Sequence, residues 1–324
     1  MHALPIAVYY EHPHWFAPLF QELDRRGLRC LRLDAGLHRF DPATSPASNG
    51  RPLLFNRMSP SAWKRGHGGA ILYTLHYLAH LEALGTPVFN GLAAFTVETS
   101  KALQVSLLER LGLPVPRTRV VNHPLLLSEA AEGLVFPLLV KPNIGGSGAG
   151  IVRFDTPETL EAAVRSDAID PGLDHTLLLQ EYHSPRGGSI VRVETLEGRY
   201  LYGIRVHLEQ DAGFDLCPAD ICRTVEGQAL ESAACPAGAQ KAGVSVERFD
   251  PPSWIVEAVE RIAVAARLDV GGIEYLESER DGRPYFYDVN ALSNFVADPV
   301  RVVGFDPTER LVDALMERAG GRAS

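Results

Sequence analysis

Val140-Lys141-Pro142-Asn143-Ile144-Gly145-Gly146-Ser147-Gly148-Ala149-Gly150-Ile151-Val152-Arg153-Phe154 is the most informative stretch of this chain. Four glycines within residues 144–150 leave backbone N–H groups uncovered, free to approach phosphate oxygens closely. The loop is not a Walker A motif, because no Gly-Lys-Ser/Thr follows, and a GxGxxG reading would put its third glycine on Ile151 or Arg153. The apolar runs Phe136 to Lys141 and Ile151 to Phe154 flank it, so a strand enters and a strand leaves. That arrangement describes a flap over a nucleotide rather than a helix N-terminus beneath one. Lys141 closes the incoming strand, where its ammonium would neutralise the same phosphates that the amides cradle. Taken alone, the hairpin reads equally well as a flexible structural turn.

Upstream, Ile6 to Tyr10 reads as an apolar strand, His14 to Arg26 as a helix stopped by Gly27, and Cys30 to Leu33 as a second strand. Asp41 to Pro52 is a loop, Leu53 to Asn56 a strand, Gly69 to Leu84 a helix ended by Gly85, and Val88 to Asn90 extended. Residues 1–92 are therefore expected to form a small α/β domain. Thr96 to Leu111 reads as one amphipathic helix bearing Lys101, ended by Gly112 to Pro116 before a strand at Thr118 to Val121. Pro157 to Arg165 is helical, and Leu177 to Tyr182, Ser189 to Thr195 and Arg199 to His207 are strands. Residues 211–250, rich in Gly, Ala and Pro, take no assignment. Trp254 to Ala266 and Pro307 to Arg318 read as helices around a hairpin of Gly272 to Glu277 and Tyr285 to Asn290. The expected class is α/β with α+β lobes, divided as 1–92, a flap-bearing small lobe 93–178, and a C-terminal lobe 179–324.

Composition narrows the function. The 324 residues are 46% hydrophobic, enough for a large core, and at ~150 residues per domain they make two or three domains with a cleft between them. Forty acidic residues against 31 basic ones, with no long basic run, argue against a nucleic-acid partner. The apolar run Leu4 to Tyr10 is too short for a span and lacks secretory flanks, so a cytoplasmic protein without membrane contact is expected. Cys217, Cys222 and Cys235 have neither CxxC spacing nor a nearby HxxxH, and read as packing residues rather than a metal or redox centre. Arg outnumbers Lys by 27 to 4. Each lysine kept (Lys64, Lys101, Lys141, Lys241) is thus a candidate for a place where a compact ammonium suits phosphate oxygens better than a planar guanidinium.

Asp288 and Asn290, two residues apart on one strand, share a face, and Glu274 lies on the strand before. Oxygen donors on one face suit Mg²⁺. A two-residue Asp281-Gly282 turn would set Glu274 opposite Val289, whereas a three-residue loop Arg280-Asp281-Gly282, with Gly282 left-handed, sets it opposite Asp288. A shared site predicts the three-residue loop. By itself a solvated polar face fits this hairpin as well.

The order of these features resembles the ATP-grasp family: a lysine-bearing helix, Gly112-Leu113-Pro114-Val115-Pro116-Arg117-Thr118, Val140-Lys141-Pro142 with its glycine loop, Gln180-Glu181-Tyr182, Glu274, and Asp288-Val289-Asn290. The nearest likeness is to carboxylate-amine ligases of the ribosomal-protein-glutamate ligase and glutathione synthetase type, extending from about Phe55 to Ser293. The resemblance implies an ATP-grasp fold behind a Rossmann-like N-terminal domain. It implies that Lys101 and Lys141 hold ATP phosphates, that Gly145, Gly146, Ser147 and Gly148 close over them, and that Gln180, Glu181 and Tyr182 contact adenine. Glu274, Asp288 and Asn290 would hold Mg²⁺, as one ion or two, with Mn²⁺ able to substitute. Arg192 and Arg205 would stabilise the transferred phosphate, and Arg57, beside Asn56, would face the substrate with His12, His14 and His67 as neighbours.

The chain departs from the family where an acidic residue usually follows the hinge: His183 to Arg186 has none, and Ile190 replaces an Asp common among near relatives. Glu274 stands where relatives often carry Asp, which keeps the ligand chemistry. The implied reaction is ATP-dependent joining of a carboxylate to an amine, with an amino acid or peptide as substrate and a homo-oligomer as assembly. An ATP-grasp kinase phosphorylating a hydroxyl, a non-catalytic ATP-binding protein and a biotin-dependent carboxylase component are the alternatives.

Overall fold

The computed structural model describes residues 6–43, 52–146, 148–208 and 244–320. Residues 1–92 supply β1 (Ile6–Tyr10), α1 (Ala17–Arg25), β2 (Cys30–Asp34), β3 (Leu53–Arg57), α2 (Gly68–Ala83) and β4 (Val88–Phe89). Their four strands make a parallel sheet in the order β2-β1-β3-β4. Central β1 is buried on both faces, with Ile6 and Val8 on one core and Ala7 and Tyr9 on another, as expected of a parallel strand covered on both sides.

Next come α3 (Leu92–Glu98), α4 (Lys101–Arg110), β5 (Thr118–Val121), α5 (Leu127–Ala130), β6 (Leu138–Pro142), β7 (Val152–Phe154), α6 (Pro157–Arg165) and β8 (Leu177–Glu181). Antiparallel β5-β8-β6-β7 form the small lobe, whose core includes Leu127, Leu138, Val140, Phe154 and Leu160. The 178/179 division falls inside β8, which pairs along its length with β6 and so keeps Glu181 in this sheet. Where periodicity suggests one helix over Thr96 to Leu111, the structure has two. Thr99 ends α3, and extended Ser100 restarts the chain by capping the Leu103 amide with its hydroxyl.

The C-terminal lobe holds β9 (Ser189–Leu196), β10 (Arg199–Leu208), β11 (Val244–Arg248), α7 (Ser253–Ala265), β12 (Val270–Glu277), β13 (Pro284–Asn290), α8 (Pro299–Val303) and α9 (Pro307–Gly320). Its antiparallel sheet runs β11-β10-β9-β12-β13. α7 packs on one face with Val191, Val193, Ile273 and Phe286, while α9 bridges the other face to the N-terminal sheet through Leu311, Val312 and Leu315. Strand β11 lies in the stretch 211–250 that the sequence leaves unassigned; Cys217, Cys222, Cys235 and Lys241 lie outside the described residues, as do Leu4 and Ser147. Among the described residues no helix is long and apolar enough to cross a membrane.

Candidate functional site

Two rungs of the large sheet build the floor of a cavity. Arg192 on β9 is level with Glu274 on β12, which is level with Asp288 on β13; one rung away lie Glu194, Gly272 and Asn290. The expected pairing of Glu274 with Asp288 is present, but the three-residue loop is not. Ser278 N–H donates to the Arg283 carbonyl, closing a four-residue loop, and the register shifts by one residue between Glu274 and Tyr275. The shift comes from a bulge at Tyr287, which turns both Tyr287 and Asp288 toward the cavity while Phe286 and Val289 stay in the core. Gly282 does adopt the left-handed conformation, at φ +69°.

The floor is a buried ion network. Arg192 donates to Glu194 at 2.6 Å and to Glu274 at 2.8 Å, and Lys101 donates to Asp288 at 2.8 Å. Burial pushes the Glu274 carboxyl up, with Arg192 opposing. Burial raises Asp288 too, but Lys101 outweighs it and holds Asp288 below the usual carboxylate range. The guanidinium lies flat across Gly272: a Cβ there would sit 2.4 Å from Arg192 Nη2. Gly272→Ala is therefore expected to cost ~1–3 kcal/mol by overpacking and to lower turnover by tilting Arg192, read by denaturant unfolding and initial rates.

Lys141 projects from β6 toward the same space, donating to Gln180 Oε1 at 2.6 Å. Burial, and then repulsion by Lys101, bring its pKa down to about 8. Gly145, Gly146 and Gly148 border the cavity above the lysines. Gly146 rests on the N-terminal domain, where a Cβ would meet Ser61 Cβ at 2.9 Å, and Ile144 is buried in that domain's core.

The expected hinge residues line the cavity, yet two of their side chains are committed elsewhere. Gln180 holds Lys141 and Thr118; the Glu181 carboxylate accepts from the Val135 amide at 2.9 Å and pairs with Arg117 and Arg280. Tyr182 borders the cavity. So does His183, where an acidic residue is missing; its Nδ1 lies 2.9 Å from Ser278 Oγ.

Two sequence-derived arginines are not brought to the cavity. Arg205 is level with core residue Val191, so it projects from the opposite face of the sheet and stacks on Phe249 at 4.0 Å. A one-position difference in strand parity separates it from Arg192. Arg57 sits behind the cavity wall, 3% exposed, between the rings of Phe16 and Phe55 and bonded to the Ser293 carbonyl and Asn294. Desolvation brings its pKa down to about 9. Neighbouring Asn56 ties β3 to Asn90. Of the three histidines, His67 binds Glu11 at 2.7 Å, while His12 lies within ring contact of His14 and stacks on Trp15, which borders the cavity.

Residues missed by sequence reasoning frame the floor. Glu98, whose carboxyl burial raises to about 7, accepts the amides of Ala291 and Leu292 just past Asn290. Gln104 clamps edge strand β13 by taking both the N–H and the C=O of Val289. Both stand on helices that one continuous amphipathic pattern conceals.

Glu274 and Asp288, with the Asn290 amide one rung on, offer only oxygen donors, a set that fits a hard divalent cation held partly by substrate phosphates. The third donor being an amide, no group of three or more His, Cys, Asp or Glu side chains arranged for a metal occurs among the described residues.

No family model matches the chain. It is 27% identical over 229 residues to a probable α-L-glutamate ligase of Teredinibacter turnerae, covering 66% of this chain and 74% of that protein. Over 181 residues it is 27% identical to the D-alanine–D-alanine ligase of Haemophilus influenzae, covering 54% of this chain and 57% of the relative. In three dimensions it is similar to the ATP-grasp ligase PsnB complexed with a phosphomimetic variant of its minimal precursor, Mg and ADP: TM-score 0.66, 19% identity, 97% of this chain and 98% of that one.

Proposed function

We propose that this chain, similar in sequence to α-L-glutamate and D-alanine–D-alanine ligases and in fold to an ATP-grasp ligase, joins an amino-acid or peptide carboxylate to an amine through an acyl phosphate, with the residues of the two sheet rungs and the flap as its machinery. The observation that carries this reading is the convergence of Lys101, Lys141, Arg192, Glu274 and Asp288 on one cavity under a glycine hairpin. Lys101 and Lys141 hold the triphosphate, and the amides of Gly145, Gly146 and Gly148 fold over it and keep water from a hydrolysable acyl phosphate. Arg192, fixed by two carboxylates, presents a rigid positive charge to the phosphoryl group as it passes to the substrate carboxylate. Mg²⁺ held by Glu274, Asp288 and Asn290 would draw charge from the phosphate oxygens.

Charge balance favours two ions. Around the floor, the carboxylates of Glu194, Glu274 and Asp288 face the cations Lys101, Lys141 and Arg192, so this ring is balanced before substrate enters. A triphosphate adds about four negative charges, which two divalent cations cancel. Mn²⁺ takes the same oxygen donors and is expected to substitute.

The test supplies ATP, Mg²⁺ and pairs of amino acids or short peptides, measuring phosphate release. ADP formation that needs both an acid and an amine, with hydroxylamine trapping the acyl phosphate as a hydroxamate, supports the reading. A stable phosphorylated product formed from one substrate alone overturns it. Lys141 predicts the pH profile. Its ammonium is the binding form, so kcat/KM for ATP should fall as pH rises through about 8, and Lys141→Met should lose both that limb and most ATP affinity.

A further inference from the structure

Between Lys141 and the flap lies Asn143, 6% exposed, with every backbone and side-chain hydrogen-bonding group engaged. Its N–H donates to the Thr176 carbonyl at 2.9 Å, and its carbonyl accepts from the Lys101 amide at 3.2 Å. Its Oδ1 accepts from the Ala102 amide at 2.9 Å and from Ser100 Oγ at 3.1 Å, while Nδ2 donates to Asp174 Oδ2 at 2.6 Å. A helix normally leaves its first amides without partners. Here those of Lys101 and Ala102 are taken by a residue just past β6, while Ser100 serves Leu103.

Resting on the reading of Lys101 and Lys141 as phosphate ligands, we propose that Asn143 is a positioning residue that sets the two lysines against one another. It is two residues from Lys141 on the strand side and directly bonded to Lys101 on the helix side, so it fixes the separation of their Cα atoms between β6 and α4. It also occupies the positive end of α4, leaving the Lys101 ammonium rather than the helix amides to meet phosphate. Opposite the Asp174 carboxylate only an amide side chain serves: its oxygen accepts from two donors while its nitrogen donates to the carboxylate.

The experiment is titration calorimetry with Mg²⁺·ADP on the full-length protein, which needs no knowledge of the acceptor. Asn143→Ala is expected to weaken ADP binding about tenfold or more, well below its unfolding temperature. Asn143→Asp should weaken it further, since two carboxylates then face each other at 143 and 174. Adding Asp174→Asn reverses the donor and acceptor between the two positions and should restore most of the affinity. Folded Asn143→Ala that binds ADP as the parent does overturns the proposal, as does a double variant no better than Asn143→Asp. Failure of the parent protein to bind ADP strikes instead at the nucleotide reading.

Discussion

Asp288→Asn is expected to lower turnover ~10²–10³-fold while the protein unfolds in a single cooperative transition. Asp288 has two partners to lose. Its carboxylate would hold the metal, and it already anchors the Lys101 ammonium at 2.8 Å. Asparagine keeps the shape and the contact with Asn290 but removes the charge that both cations require. ADP binding in the variant should lose its dependence on Mg²⁺, because the remaining Glu274 is engaged by Arg192. Initial rates and calorimetry with and without Mg²⁺ check this, and unchanged turnover would remove Asp288 from the metal site.

Arg192→Met should abolish activity and cost ~3–5 kcal/mol of stability, because it strands the carboxylates of Glu194 and Glu274 in a buried place without a counter-charge. Arg192→Lys should rescue little, since one ammonium cannot reach both partners with the geometry of a planar fork. The loss has a pH signature. Burial already raises Glu274, and without Arg192 its folded pKa rises further above the unfolded value, so the folded state binds more protons than the unfolded one. The stability deficit should therefore be small in acid and grow as pH rises through the raised pKa. Denaturant unfolding across pH measures it, and a deficit independent of pH would rule out stranded carboxylates as the cause.

The lysine and glycine side of the cavity was legible because its signals are local. The lysine-strand-glycine order of Val140 to Phe154 fixes a flap wherever the lobe is placed, and the Asp288-Val289-Asn290 spacing puts two donors on one face without reference to the rest of the molecule. The facing of Glu274 and Asp288 was also readable, but by an argument whose turn is not the one the chain uses: the bulge at Tyr287, invisible in hydrophobic alternation, makes up the difference. Arg205 shows the opposite failure. Its position thirteen residues after Arg192 is compatible with either face, and only the pairing of β9 with β10 assigns it to the other side.

Most of the element order, the two lysines that reach the cavity and the strand whose oxygen donors share a face could be read from the chain alone, because strand parity and glycine conformational freedom act over a few residues. The folded chain was needed to show that Glu98 and Gln104 brace β13 and that Asn143 ties the end of β6 to the start of α4. The bonds from Asn143 to α4 and from Glu98 and Gln104 to β13 and its C-terminal end satisfy polar groups 41 to 194 positions apart. A buried donor or acceptor must find a partner somewhere, and nothing in the local pattern says where.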